Sequence, residues 1–294
     1  MSGNHQVNNY NSAFAIGISL NMAFVVIEAV YGVISGSLAL IADAGHNLSD
    51  VLGLLLAWGA IWLAAKAATE KRTYGFRKAT VLASLGSALL LLFSLGAITW
   101  EAIGRFSDPQ PVEGMTVIIV AAIGVVINTI TALLFRLGQK DDLNIKGAYL
   151  HMAADAGVSL GVVVAGYIVM TTGWLLVDPI TSLIIVVIIF IGTWSLLKDS
   201  TNLALDSVPE GIDMPGIKKY LTDIEQVSEI HDLHVWAIST TEVALSVHLI
   251  LIDNNFPKNF LTQIQQQLHD NFDIEHATIQ LERQGDEACM LVND

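Results

Sequence analysis

The stretch "LALIADAGHNLSDVLGLLLAWGAIWLAA", residues 38–65, decides how this chain is read. About 20 apolar residues in a helix cross the roughly 30 Å hydrocarbon core of a bilayer, and this run is longer. Yet it carries Asp43, His46 and Asp50. Such groups are costly in hydrocarbon and tend to mark pathways or binding sites. A second apolar run, "AYLHMAADAGVSLGVVVAGYIVM" (148–170), repeats the spacing with His151 and Asp155. Residues four apart on an α-helix share a face. His46 with Asp50, and His151 with Asp155, therefore make two paired faces. If the two helices pack together, they present two imidazoles and two carboxylates, a tetrahedral N/O set of the kind zinc accepts. Cobalt, nickel and cadmium also suit such donors. One histidine in an apolar helix is more often a satisfied polar residue than a ligand; the same spacing on two helices favours a metal site. Asp43, one turn before His46, is a supporting partner of that site or part of the path by which an ion reaches it. Glu28, Glu101 and Asp178 read as helix-end or interhelical polar groups, and Asn21 and Asn128 as interhelical hydrogen-bonding residues.

Working outward, apolar runs at 14–34, 38–65, 79–103, 115–135, 148–170 and 175–197 predict six transmembrane helices. The composition agrees: 53% of residues are hydrophobic and 14% charged, against about 25% charged in ordinary soluble proteins. Lys66, Lys71, Arg72, Arg77 and Lys78 crowd the loop at 66–78, and Arg136, Lys140 and Lys146 the loop at 136–147; the other loops hold only Arg105. Basic residues stay on the cytoplasmic side, which places both termini there. "MSGNHQVNNYNSAF" (1–14) has no basic lead-in to the first apolar run, so that run is expected to be retained as a helix and not cleaved as a signal peptide. The lone Cys289 can form no intramolecular disulfide and so demands no oxidising compartment. A short chain without targeting extensions points to a bacterial inner membrane.

The last third has another character. Residues 199–294 hold 17 acidic and four basic side chains, a net −13 out of −14 for the chain. That balance disfavours nucleic acid and suits a domain that attracts cations. Its patterns predict helix 214–224, strand 228–239, strand 242–251, helix 257–272 and strand 277–283, an αββαβ domain with helices on one face of a small sheet. The expected organisation is a tail at 1–13, a six-helix transport domain at 14–198 and an acidic cytoplasmic α/β domain at 199–294.

"ADAGHNLSD", "TYGFRKATVLASL", "GAYLHMAADAGVS", "VDPITS" and "HDLHVWAIS…ALSVHL…ATIQLE" together resemble the cation diffusion facilitators, proton-coupled exporters of divalent metals. The resemblance runs along essentially the whole chain. It implies a Y-shaped homodimer whose metallochaperone-like tail dimerises. His46, Asp50, His151 and Asp155 fall on the transport-site positions, and histidine at the first looks like the zinc and cadmium branch. His231, His248 and Glu282 match metal-binding positions in the tails of relatives, so Zn²⁺ is expected both as transported substrate and as regulatory ligand. His234 is a further candidate; it and Trp236 equally suit packing at the sheet and dimer surface. His269 and His276 read as surface residues, and His5 has no assigned role. Lys78 and Asp206 fall on the positions of a contact that clamps the two subunits. The chain departs from some relatives in having no histidine in the 66–78 and 136–147 loops, so the metal sites found there in relatives are expected to be absent.

The resemblance implies metal–proton antiport by alternating access, with Cd²⁺, Co²⁺ and Ni²⁺ as alternative substrates. A membrane metal sensor would need an output module, which is not seen. An exporter of organic cations would need an aromatic cavity around one acid. An enzyme would need a nucleophile–base set or a nucleotide loop, and neither these nor an organic cofactor motif is found.

Overall fold

The computed structural model describes residues 11–135, 143–253 and 257–283. The side chains of 11–21, 49, 50, 53, 54, 57, 58, 61, 134, 135 and 143–148 lie outside that description. So do His5, Arg136, Lys140 and Cys289, and the side chains of Asn21, Asp50 and Lys146.

Six long helices come first: α1 (Asn11–Ser35), α2 (Leu38–Ala64), α3 (Ala79–Ser107), α4 (Gly114–Phe135), α5 (Leu143–Thr172) and α6 (Val177–Ala204). Then follow α7 (Met214–Thr222), β1 (Val227–Ala237), β2 (Val243–Leu251), α8 (Phe260–Phe272) and β3 (His276–Arg283). All eleven expected elements are present. Helices α3, α5 and α6 outrun their apolar segments, because backbone hydrogen bonding continues where hydropathy stops. Ala79–Ser107, Gly114–Leu133, Tyr149–Thr172 and Val177–Ala204 are long and apolar enough to cross a membrane, and Met22–Ser35 is a shorter apolar stretch. By internal packing the chain divides into two compact units: Met1–Leu55 with Ser87–Trp194, and Leu56–Gly86 with Ser195–Asp294.

The first unit buries polar groups and exposes apolar ones. Trp100 is 82% exposed and Phe93 79%, whereas Glu28, Asp43, Asp155, Ser159 and Asp178 are buried. Water would not tolerate that pattern; hydrocarbon does, since lipid tails are as apolar as the side chains facing them. Phe24, Leu40, Leu95, Val117, Val162 and Ile185 join the helices in one core. Helix α4 packs on α5 and α1. It meets α5 tightly at Gly114 and Gly166, where a Cβ on Gly114 would stand 2.8 Å from the Gly166 carbonyl oxygen. Small residues there let the two backbones touch.

Asp178, at the start of α6, ties α2, α3 and the α1–α2 turn together. It accepts from Ser37 Oγ (2.6 Å), Leu38 N (2.8 Å) and Ala39 N (3.3 Å), so it caps the first turn of α2 from across the bundle. Arg105 of α3 lies 3.5 Å away and donates to the Gly36 carbonyl in the α1–α2 turn. The expected interhelical role of Asp178 is visible in these bonds. Asn128 differs from expectation. It is buried on α4, but neither amide atom finds a hydrogen-bond partner among the described residues.

In the second unit the sheet order is β1-β2-β3, with β1 antiparallel and β3 parallel to β2. The parallel step requires a crossover, which α8 supplies. Leu245, Val247, Leu249 and Leu251 of β2 are buried in one core with Ile217 and Leu221 of α7 and Phe260, Ile264 and Leu268 of α8. Side chains alternate along a strand, so His248 of β2 and Gln280 and Glu282 of β3 point to the opposite face.

Candidate metal sites

Helices α2 and α5 bring His46, His151 and Asp155 together, with one ligand atom of each within 4.8 Å of the others. Asp155 is buried; its Oδ1 lies 3.5 Å from His46 Nε2 and its Oδ2 3.6 Å from His151 Nε2. The two rings meet edge-on with centroids 5.9 Å apart. These separations exceed the usual hydrogen-bond range of about 2.7–3.2 Å. They are close to the spacing, roughly 3.4 Å, of two donors that each sit about 2.0–2.1 Å from one tetrahedral zinc ion. Buried Asp155 Oδ2 has no hydrogen-bond donor among the described residues. A carboxylate placed between two imidazoles, with an oxygen left over, fits a divalent cation. Asp50 lies one turn along α2 from His46; its side chain is outside the description.

Beneath these ligands lies a second layer of polar groups. Asp43, one turn before His46, accepts from Ser159 Oγ at 3.0 Å. Its carboxyl acts directly on that of Glu28 on α1, and Glu28 accepts from Asn47 Nδ2 at 3.2 Å. Glu28 is thus interhelical, but well inside its helix and fully buried. The sequence offered no sign that Glu28 faces Asp43, since the meeting depends on how α1 is rotated against α2.

On the open face of the sheet, His231, His248 and Glu282 form the other cluster, with one ligand atom of each within 4.8 Å of the others. His231 and His248 are register partners in β1 and β2, and their rings cross edge-on at 4.9 Å. His231 Nε2 donates to Glu282 Oε2 at 2.9 Å. That bond, helped by one from Gln280, holds the Glu282 carboxyl below its usual pKa. His248 Nδ1 is 2.8 Å from Glu282 Oε1 without making a hydrogen bond. Close approach without hydrogen-bond alignment is what donor atoms show when they converge on a common point. The N/O donor set suits zinc.

His234 stands outside that trio and bonds Asp232 Oδ1 at 2.9 Å. Sequence reading missed Asp232. It occupies a break in the β1–β2 register with φ +52°, a conformation that aspartate tolerates better than most residues. From there its other oxygen lies 3.5 Å from His248 Nε2. The signal was present in "HDLH" (231–234), where an aspartate between two histidines interrupts a strand. His269 is exposed and raised in pKa by its hydrogen bond to Asp270 and by Glu275; exposed His276 meets Tyr74 edge-on.

Within the same unit the 66–78 loop is tied to the tail. Lys78 pairs with Asp206, Arg77 lies 3.1 Å from Glu242, and the Thr240 amide donates to Thr80 Oγ1.

Residues 14–203 match the family described as cation efflux transmembrane domain, and residues 209–284 the one described as cation efflux protein, cytoplasmic domain. Among curated relatives, the metal cation efflux system protein CzcD of Cupriavidus metallidurans is 37% identical over 91% of this chain and 85% of its own. The zinc transporter ZitB of Escherichia coli is 37% identical over 92% of this chain and 86% of its own. A cadmium, cobalt and zinc/H(+)-K(+) antiporter of Bacillus subtilis is 34% identical over 97% and 93%. The solved metal-bound C-terminal domain of CzcD is 34% identical and covers 24% of this chain and 99% of its own, with a TM-score of 0.22. With both parts matched in order and relatives aligned along nearly its full length, this chain belongs to the cation efflux family, the cation diffusion facilitators that its paired histidine–aspartate motifs resemble.

Proposed function

We propose that the protein exports divalent metal, Zn²⁺ first, from the cytoplasm in exchange for protons, and that it is a homodimeric carrier and not an enzyme. The observation that carries this reading is the meeting of His46, His151 and Asp155 from two membrane helices. Asp50 completes the set as fourth ligand. Facing the cytoplasm, neutral imidazoles and ionised carboxylates bind the metal; facing outward, where protons are more abundant, protonation competes it away. Substrate and counter-ion thus use the same groups, and the coupling lies in the site. Both termini are cytoplasmic, the host membrane is a bacterial inner membrane, and the organisation is tail 1–13, transport domain 14–198 and cytoplasmic domain 199–294. Cadmium, cobalt and nickel fit the same donors.

The test uses purified protein in vesicles with a zinc-sensitive dye on one side and an imposed pH gradient. Zinc should move against the proton flow, stop when the gradient is collapsed, and stay still in vesicles holding His46→Ala. Flux that persists in that variant would move the transport site elsewhere.

In the cytoplasmic domain, His231, His248 and Glu282 hold a regulatory zinc ion. When bound, it supplies positive charge to an acidic surface and relieves repulsion between two tails. Lys78 and Asp206 act as a hinge pair where the tail joins the membrane part. His248→Ala is expected to remove one zinc per chain in equilibrium dialysis and to weaken transport only when zinc is limiting. Unchanged metal content would show that the trio is merely hydrogen-bonded.

A further inference from the structure

We propose that Glu28 and Asp43 share one proton beside the transport site and release it when a divalent cation binds there, which makes the pair a second proton carrier of the exchange. The proposal rests on the antiport reading above but concerns residues that reading does not use.

Both side chains are fully buried, and their carboxyl groups act directly on each other. One oxygen of each already has a neutral donor: Asn47 on Glu28 and Ser159 on Asp43. The other two, Glu28 Oε1 and Asp43 Oδ1, have no donor among the described residues. Ionised carboxylates only accept hydrogen bonds. A carboxyl–carboxyl hydrogen bond therefore needs a proton on one partner, and two touching carboxylates cannot both ionise without compensation. No lysine or arginine among the described residues offers that compensation. The sequences of α1, α2 and α4 contain no lysine or arginine, and α4 contains no ionisable residue at all. The charged groups felt by the pair are His46 from α2 and Asp155 from α5, both at the transport site.

Position explains the coupling. Asp43 is three residues before His46, and its partner Ser159 is four after Asp155, so the pair sits about one helical turn, roughly 5 Å, from the ligands. A dication arriving at that range in a dry interior repels a proton strongly. The O–H bond of the shared acid then breaks, the proton leaves to water, and the two resulting carboxylates are held by the field of the cation. When the metal departs outward, a proton from that side re-forms the O–H bond. One metal ion in and one proton out of the pair leave the buried charge closer to balance than ligand protonation does on its own.

The test follows zinc binding to the full-length protein in detergent, by infrared difference spectroscopy and by counting protons released into weakly buffered solution. In the parent, the carbonyl band of a protonated carboxylic acid should vanish as zinc binds. Glu28→Gln and Asp43→Asn should each bind zinc at the parental ratio, lack that band, and release about one proton fewer per zinc. An unchanged band and proton count in the variants overturns the proposal. If neither variant folds, the parent decides: a zinc-sensitive acid band supports the shared proton, and its absence overturns it. A parent that binds zinc with no proton release at all, and whose vesicles move zinc without a pH gradient, would sink the antiport reading and this proposal together. Antiport that survives with the acid band missing sinks only the pair.

Discussion

Asp155→Asn is expected to leave a folded protein that no longer carries zinc. The buried carboxylate stands between His46 Nε2 at 3.5 Å and His151 Nε2 at 3.6 Å, so it is the donor that both helices share. Asparagine keeps the shape and one carbonyl oxygen but loses the negative charge that faces a dication in a low-dielectric interior. Changing a group that merely supports a metal ligand costs 10–100-fold in affinity, so changing a ligand of this kind should cost at least about 100-fold. Stability should hardly move, because Asp155 Oδ2 has no donor to lose among the described residues. Calorimetric zinc titration of the purified variant, with vesicle flux alongside, checks both halves. Parental affinity would mean that the two imidazoles and Asp50 suffice; a collapse of the fold would mean that Asp155 is structural.

The second large effect is expected at the start of the next helix, α6. Asp178→Ala removes the acceptor for Ser37 Oγ, Leu38 N and Ala39 N and leaves the nearby Arg105 with exposed Glu101 in place of a buried carboxylate. The first amides of a helix have no partner within it, and in a bundle set in lipid no bulk water replaces the lost acceptor. Breaking a buried charged pair by deleting one partner typically costs about 3–5 kcal/mol. A strongly lowered unfolding midpoint in denaturant titration is the expected outcome. Asp178→Asn should fall between variant and parent, since its amide oxygen still accepts while its nitrogen cannot. Transport should drop with stability, because α2 carries His46 roughly two turns from this cap. An unchanged midpoint would show that the α2 amides find other acceptors.

Much of this architecture was legible before any coordinates. Six apolar runs marked six helices, and alternation with short breaks marked the αββαβ tail; every element appears, though α5 and α6 extend well past their apolar segments. The paired spacing singled out His46, Asp50, His151 and Asp155, because four residues on one helix is a local relation that any helix must honour, and three of these side chains meet among the described residues. Family resemblance, not periodicity, pointed to His231, His248 and Glu282, and the strand register explains how residues 51 apart come to touch.

Other features depend on rotation, depth and local distortion. Asp232 reaches His234 and His248 because a break in strand register turns it there, and strict alternation gives no warning of such a break. Asp178 looked like one of several polar helix ends until it proved to cap a helix 140 residues away. Glu28 and Asp43 looked like separate acids on neighbouring helices, and the contact between them follows from the packing of α1 on α2. Hydrophobic period and ligand spacing are properties of a segment and can be read along the chain. Which side chains share a buried point is set by the packing of segments against one another, and small shifts in rotation or rise replace one partner by another.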